Sequence, residues 1–422
     1  MTTRVSALTQ MWTAPARQVR PRWETVANAI MWPLAILLVV HRIFALALPG
    51  TKTDDFTTVW SAARRFVERV PVYNEVYHHV DPHYLYNPGA TLLLSPLGMF
   101  STIDMIRPLF IVANALCIIA ALAWLTRLSG FSLTHPVLPG AIAAAFATEA
   151  VTNTLAFANI NGVLLLGLVA FVALLLRGGA AGSISAGIVL GLCITVKPMF
   201  APLIVLPLLR LDWKAMLAAV GVPALLNLIA WPITPGASVY TDIVVPYLGI
   251  TRDYANSSLA GAAVYFGMPD WLHGLLFVVI AVTVAVAVIG LARFRYSDAF
   301  MWATTTAAVL IVGVCVLSSL GQAYYSMMVF PAVFTVAGRY SVFHTPFAWL
   351  GIILCLSPLT WVVDSTPVTG RWLDTFLPTA GWIMFLVATA AWICATAAPL
   401  STTGRTVPDG QLDSPDELRR LD

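Results

Sequence analysis

Charge is scarce in this sequence: Asp, Glu, Lys and Arg make up 10% of its 422 residues, against 59% hydrophobic. A soluble domain carries about 25% charged residues, so without lipid this chain would present its apolar surface to water. The net charge of +3 is small and dispersed, which argues against a nucleic-acid partner. Cysteine pairing is absent too. Cys117, Cys193, Cys315, Cys355 and Cys394 sit far apart inside apolar runs, so buried free thiols are expected and neither a disulfide framework nor a structural metal is implied. There is no Walker loop, no nucleotide-binding glycine turn after a strand, no G-x-S-x-G and no H-E-x-x-H. Nothing resembles a soluble domain that could bind a nucleotide sugar, and no internal repeat supports an inverted-repeat transporter. A cleavable signal peptide is not expected either. Residues 1–22 hold four arginines and no acid, and the apolar run that follows exceeds the roughly 7–15 residues of a signal core.

What is present is a series of apolar runs, and a span needs about 20 such residues. The pattern predicts an all-α polytopic membrane protein: a cytoplasmic tail at 1–26, a membrane domain at 27–400 and a cytoplasmic tail at 401–422. Lysine and arginine favour the cytoplasmic side, which places the loops 49–87, 234–270 and 364–374 outside. Spans are expected at 27–48, 215–233, 271–292, 298–320, 322–338, 345–363 and 375–398. The stretch 88–210 reads as five further crossings (88–100, 106–126, 137–158, 160–177 and 183–209), giving twelve within a range of 11–13. An alternative makes Lys197-Pro198 the tip of two half-helices, since proline removes a backbone bond there. Irregular backbone at membrane depth is tolerated only around a cavity or inside protein, so both versions place a cavity in this region. In the first outer loop, Phe56, Val59, Trp60, Ala63, Phe66 and Val70 recur at three- and four-residue spacing. That predicts an amphipathic helix, lying on the membrane surface or on the protein's own outer face.

Chemistry-bearing residues gather at the outer ends. Asp54 and Asp55 are adjacent, and mutual repulsion raises the proton affinity of one of them if both are partly desolvated, which suits a general base or a cation site. Residues 73–88 hold tyrosines and histidines at high density, including His83, Tyr84 and Tyr86. An interfacial aromatic belt, a sugar-binding wall and, less well matched in spacing, a metal site all remain open. Ionisable groups at membrane depth are costly and hence functional candidates; His41, Arg42, Glu149 and Lys197 are the clearest. Arginine and lysine there suit a lipid-linked phosphate, although Arg42 also has the length to snorkel to the interface. The second outer loop adds Arg252, Asp253, Tyr254 and Asn256, the last within a low-specificity glycosylation sequon. Gln322, Tyr324 and Tyr325 open a later span from the outer side.

Several blocks in order carry a resemblance: TDDFTTVWSAARRFVERVPVYNEVYHHVDPHYLYNPGATLLLSPLG, TEAVTNTLAFANINGVLLLG, ITVKPMFAPLIVLPLL, YLGITRDYANSSLAGAAVYFG and GQAYYSMMVFP. They resemble the polyprenyl-phosphate-dependent GT-C glycosyltransferases of actinobacteria, in particular the branching α-(1→3)-arabinofuranosyltransferases of arabinogalactan and lipoarabinomannan. The resemblance implies a GT-C fold in the plasma membrane with its site facing the periplasm, and a decaprenyl-phosphoryl-arabinose donor. The acceptor would be an α-(1→5)-arabinan and the displacement inverting. It assigns Asp55 or Asp54 as base, with Asp55 preferred because it abuts the amphipathic helix. Lys197, Arg252, Arg42 and His41 would hold the donor phosphate. His83, Tyr84, Tyr86, Asn161, Asp253, Tyr254, Asn256, Gln322, Tyr324 and Tyr325 would bind sugar or acceptor. No cofactor is required; paired acids could bind a divalent cation, but the scheme does not need one. A polyprenyl-phosphomannose-dependent mannosyltransferase, a lipid-linked sugar flippase and a non-catalytic subunit of a wall-synthesis complex are the alternatives. Asn87, in Tyr86-Asn87-Pro88, departs from the second proline expected after the tyrosine.

Overall fold

The computed structural model describes residues 21–50, 55–77, 83–358 and 362–397. These residues form helices and connecting loops, with no strand among them. Among the described residues, seven helices are long and apolar enough to cross a membrane, and five shorter apolar helices accompany them. Helix α1 runs from Arg22 to Val40 and continues as a π-helical turn over His41–Ala47. The surface helix α2 (Asp55–Val67) and the short α3 (Pro88–Leu94) follow, then α4 (Ile103–Leu128), α5 (Val137–Ala147), α6 (Glu149–Ala156) and α7 (Asn161–Arg177). Next come α8 (Gly179–Val196), α9 (Pro198–Leu209, 3-10 in its first half) and α10 (Trp213–Ala230). The remainder comprises α11 (Leu259–Phe266), α12 (Asp270–Leu291), α13 (Ala299–Leu317), α14 (Ala323–Ala337), α15 (Pro346–Leu356) and α16 (Pro367–Ala397).

The contacts between α8 and α10 settle the reading of Lys197-Pro198. A Cβ on Gly187 would lie 2.3 Å from the Ala215 carbonyl oxygen, and one on Gly191 would lie 2.7 Å from Val222 Cβ. Position rises together in both helices, so they run parallel and start from the same end of the bundle. Because α10 begins just after Leu209, α9 has to bring the chain back to that end. Lys197-Pro198 is therefore the tip of a hairpin, and 183–209 is two passes rather than one. The local cause is steric: a residue before proline is pushed out of the helical region, and Lys197 adopts φ −136°, ψ 105°.

The run 88–100, expected to cross, does not. Asn87 caps α3 by accepting from the Ala90 amide, and its Nδ2 donates to the Thr195 carbonyl at the far end of α8. The Gly89 amide donates to Asn227 Oδ1 near the end of α10. Helix α3 ends after seven residues, where Ser95-Pro96 tightens the chain into a 3-10 turn. That turn lies across α2: a Cβ on Gly98 would sit 2.4 Å from the Ala63 carbonyl carbon. The segment stays at the end of the bundle that carries the Lys197 tip.

Helix α2 forms where the periodicity predicts. Its apolar face, Phe56, Val59, Ala62, Ala63 and Phe66, is buried. The face packs on the protein itself, chiefly on the 3-10 turn Ser95–Met99 and on α3, and Trp60 Nε1 donates to the Phe100 carbonyl. All of this supports a specific expectation for α8. Gly187→Leu forces the α8 and α10 backbones apart, costing about 1–3 kcal/mol by overpacking. A lower thermal unfolding midpoint in detergent measures it, whereas Gly221→Leu, where a Cβ meets nothing within 4 Å, leaves the midpoint unchanged.

Candidate active site

At the Lys197 end, four elements enclose a cavity of about 760 Å³. Helix α2 and the strap after it contribute Asp55, Thr58, His83, Tyr86 and Asn87. The hairpin tip contributes Lys197, Pro198, Met199, Ala201 and Pro202, and the second long loop Tyr240, Tyr247, Arg252 and Tyr254. The α13–α14 junction adds Ser318, Ser319, Gln322, Tyr324 and Tyr325.

Asp55 opens α2, where unsatisfied backbone N–H groups and the helix dipole favour a carboxylate. Its backbone carbonyl accepts from Thr58 Oγ1 at 2.9 Å. Lys197 is held from two sides. Its Nζ donates to Asn161 Oδ1 at 2.8 Å and to the Tyr325 hydroxyl at 3.2 Å, and it lies 4.6 Å from the Tyr325 ring centroid. Asn161 is fully buried at the first turn of α7, so it acts on the cavity through the lysine. Arg252 lies 5.4 Å from the Tyr254 ring centroid. Gln322, oriented so that its nitrogen donates to the Ala255 carbonyl, accepts from Arg252 Nη2 at 3.0 Å. A carboxylate thus shares one cavity with a lysine and an arginine.

The walls are stitched by aromatic residues. Arg65 donates to the Val72 carbonyl at 2.8 Å and pairs with Glu75 at 3.1 Å. Glu75 also accepts from the Tyr84 amide at 2.9 Å and faces His83 Nδ1 at 3.4 Å. The His83 ring lies 5.1 Å from the Tyr77 ring and meets the Tyr247 ring edge-on at 5.5 Å. The Tyr73 and Tyr77 hydroxyls donate to the Tyr86 and Tyr84 carbonyls. Tyr73 also reaches Tyr240 across the loops, while the Val72 amide and Arg69 bond the Pro235 and Ile233 carbonyls. Burial pushes the hydroxyls of Tyr73, Tyr77, Tyr84 and Tyr86 above the ordinary tyrosine value, and the Asp55 carboxylate adds to the effect on Tyr86. These hydroxyls remain neutral donors.

Of the residues singled out in the sequence, Asp55, His83, Tyr86, Lys197, Arg252, Tyr254, Gln322, Tyr324 and Tyr325 come together here. Others do not reach the lining. Tyr84 is buried with its hydroxyl on Thr91 Oγ1 at 2.8 Å. Asn256 is a buried brace: Nδ2 donates to the Arg252 and Ser319 carbonyls, and Oδ1 accepts from the Ser258 and Gly321 amides. That geometry leaves its sequon nitrogen enclosed. Arg42 donates to the Phe146 carbonyl at the end of α5, while His41 and Asp253 are exposed. Glu149 begins α6, in the turn where the dipole favours an acid. Asp54, His78, His79 and Asp81 lie outside the described residues. Among those described, no three His, Cys, Asp or Glu side chains gather as metal ligands. Sequence reasoning missed Thr58, Tyr240 and the Glu75 brace; the opposite charges of Arg65 and Glu75, flanking the chain as it leaves α2, were the available signal. Arg107 was missed as well. It is buried and donates to the Ala47 and Ala156 carbonyls, tying α4 to the ends of α1 and α6.

Seven helices able to cross a membrane, with a carboxylate, a lysine and an arginine collected in one cavity, define a polytopic helical membrane protein with a candidate active site. The chain belongs to glycosyltransferase family 87, which it matches over residues 84–319, and it is a glycosyltransferase. It is 52% identical over 363 residues to an α-(1→3)-arabinofuranosyltransferase of Corynebacterium glutamicum, covering 86% of each chain. It is 41% identical over 371 residues to the enzyme of that name from Mycolicibacterium smegmatis, covering 88% of this chain and 86% of the relative. For Mycobacterium tuberculosis the identity is 40% over 367 residues, covering 87% and 84%. No solved structure matches.

Two outcomes test the stitching. Glu75→Ala leaves the Arg65 guanidinium and the Tyr84 amide short of a partner; a charged hydrogen bond contributes about 1.5–3 kcal/mol, so the unfolding midpoint falls, and it falls less for Glu75→Gln. For the tyrosines, a raised folded-state value means their stabilising effect is complete below about pH 10, the unfolded value, and is lost as pH rises through the folded values. Tyrosinate absorbance should therefore show a delayed group of hydroxyls, and the midpoint should decline only above about pH 10.

Proposed function

We propose that this enzyme transfers arabinofuranose from decaprenyl-phosphoryl-arabinose to the 3-hydroxyl of an α-(1→5)-linked arabinan, on the periplasmic side of the plasma membrane. The observation that carries the reading is the meeting of Asp55, Lys197 and Arg252 in one cavity, in a chain whose relatives carry the name α-(1→3)-arabinofuranosyltransferase. With no nucleotide-binding motif in the sequence, a donor delivered through the lipid suits a cavity at the end of a membrane bundle.

In the proposed step, the acceptor 3-hydroxyl gives its proton to Asp55 while its oxygen bonds to the anomeric carbon. The bond from that carbon to the phosphate oxygen breaks, and decaprenyl phosphate leaves with inversion. Lys197 and Arg252 neutralise the charge that grows on the departing phosphate, a task for preorganised cations in a site shielded from water. A phosphate is already a fair leaving group, so positioning and charge neutralisation carry most of the barrier reduction. Tyr86, Tyr324 and Tyr325 offer ring faces and hydroxyls to the sugars. Neither a metal nor another cofactor enters this scheme.

The test is transfer from labelled decaprenyl-phosphoryl-arabinose to a synthetic α-(1→5)-arabinan in membranes carrying the enzyme, with the phosphomannose donor alongside and linkage analysis of the product. A new 3-linked branch from the arabinose donor is expected. Asp55→Asn should lower kcat by about 10²–10⁴, the range of a general base. Lys197→Met should lower it by about 10²–10³, the scale of losing one preorganised charge-stabilising group. Mannose transfer in place of arabinose overturns the donor assignment, and full activity in Asp55→Asn overturns the base.

A further inference from the structure

A second cavity, about 490 Å³, opens at the opposite end of the bundle, where α8 and α10 begin. Gly178, Gly179, Ser183, Arg210, Lys214 and Tyr296 contribute to its lining. Two guanidinium groups converge on one tyrosine: Arg210 Cζ lies 5.9 Å and Arg295 Cζ 4.9 Å from the Tyr296 ring centroid. Neither these arginines nor Lys214 has an ion-pair partner among the described residues. The acids nearest in sequence are already used, because Asp212 accepts from the Ala215 amide and Asp298 from the Met301 amide as helix caps. Arg210 spends one N–H on the Leu175 carbonyl and Arg295 one on the Ala292 carbonyl. Arg295 Nε is buried with no hydrogen-bond partner. The backbone contributes as well. Gly178 and Gly179 take φ of 65° and 71°, and the 18-residue α8 starts without a side-chain cap, so its first N–H groups face the same space with the positive end of the helix dipole.

Arg210 and Arg295 at Tyr296, with Lys214 in the lining, outnumber the one lining carboxylate, Asp212, so the pocket over this uncapped helix start keeps an excess of positive charge that suits an anion. The rim shows which anion. Leu211 and Trp213 are well exposed beside the pocket, at 68% and 60%, and Leu208 is exposed one turn away. An anion with apolar chains fits that rim, and basic pockets between membrane helices are suited to phospholipid head groups. We propose that this pocket binds the phosphodiester head group of an anionic membrane lipid, with Arg210, Lys214 and the α8 amides on the phosphate. In this arrangement Arg295 adds field from behind Tyr296, and Trp213 and Leu211 lie along the acyl chains. The site is separate from the transfer cavity and does not depend on the proposed donor or acceptor.

The test uses the full chain in neutral detergent, titrated with phosphatidylglycerol, phosphatidylcholine or inorganic phosphate while the unfolding midpoint and retained lipid are followed. Phosphatidylglycerol is expected to raise the midpoint and to stay bound through purification, with an effect that weakens as salt rises. Lys214→Gln with Arg295→Gln, which leaves the Arg210 bond to Leu175 intact, should weaken phosphatidylglycerol binding at least five-fold. Arg339→Gln, a cation outside the pocket, should not change it. If the double variant binds phosphatidylglycerol as the parent does, or if phosphatidylcholine is equally effective, the proposal fails. If inorganic phosphate alone reproduces the full shift, the pocket is a phosphate site and the lipid assignment is overturned. A double variant that does not fold is replaced by Lys214→Gln alone, for which unchanged binding counts against the site.

Discussion

The site depends on one broken helix. Inside a bilayer every backbone group has to be satisfied by protein, because hydrocarbon offers no partner, so a chain can abandon helical geometry only where protein or a wet cavity receives it. Lys197-Pro198 is such a place. Proline removes the backbone donor and expels its predecessor from the helical region, and the lysine amide still reaches the Cys193 carbonyl at 2.8 Å. The break points an ammonium into the cavity, where Asn161 and Tyr325 fix it. Without it, α8 and α9 would be one helix continuing past the bundle, and Lys197 would not line the cavity that holds Asp55.

A charge so placed has to be retained without being quenched. A carboxylate bonded directly to Lys197 would neutralise it, and an added phosphate would gain little. The groups actually supplied are an amide oxygen and a tyrosine hydroxyl and ring, which orient an ammonium through dipoles and a ring quadrupole and leave its net charge available. Arg252 is treated in the same way, with Gln322 and Tyr254 as its partners. Arg65 and Glu75, by contrast, form a full ion pair, which shapes the strap behind the cavity. The two kinds of partner separate residues that hold the walls from cations whose charge faces the cavity.

Much of this was legible in the sequence, for identifiable reasons. The surface helix after α1 declared itself because its apolar residues recur with helical period, and Lys197 stood out because a lysine before proline between apolar runs has few structural excuses. The acid at the start of α2 was legible from the same pattern, since the periodicity begins at Phe56. Hydropathy failed at 88–100. That run is apolar because it packs on α2, α8 and α10, and a count of apolar residues cannot distinguish burial in protein from burial in lipid. It also could not foresee that Asn161 would act through Lys197, or that Asn256 would be spent on four backbone contacts. In both cases the side chain's role is set by partners dozens of residues away.

Asn87 shows how one residue can carry two such roles. A proline there would supply neither the side-chain acceptor for the Ala90 amide nor the donor to Thr195. As asparagine, the position both starts α3 and anchors it to the last turn of α8, directly behind the Lys197 tip. Tyr86, the residue before it, lines the cavity, so the cap fixes the depth at which that ring and hydroxyl are presented. The local sequence around Tyr86-Asn87-Pro88 thus sets the distance between two cavity walls, the strap and the hairpin tip. Because Tyr86 and Lys197 both line the cavity, that distance is the quantity the surrounding fold has to keep constant.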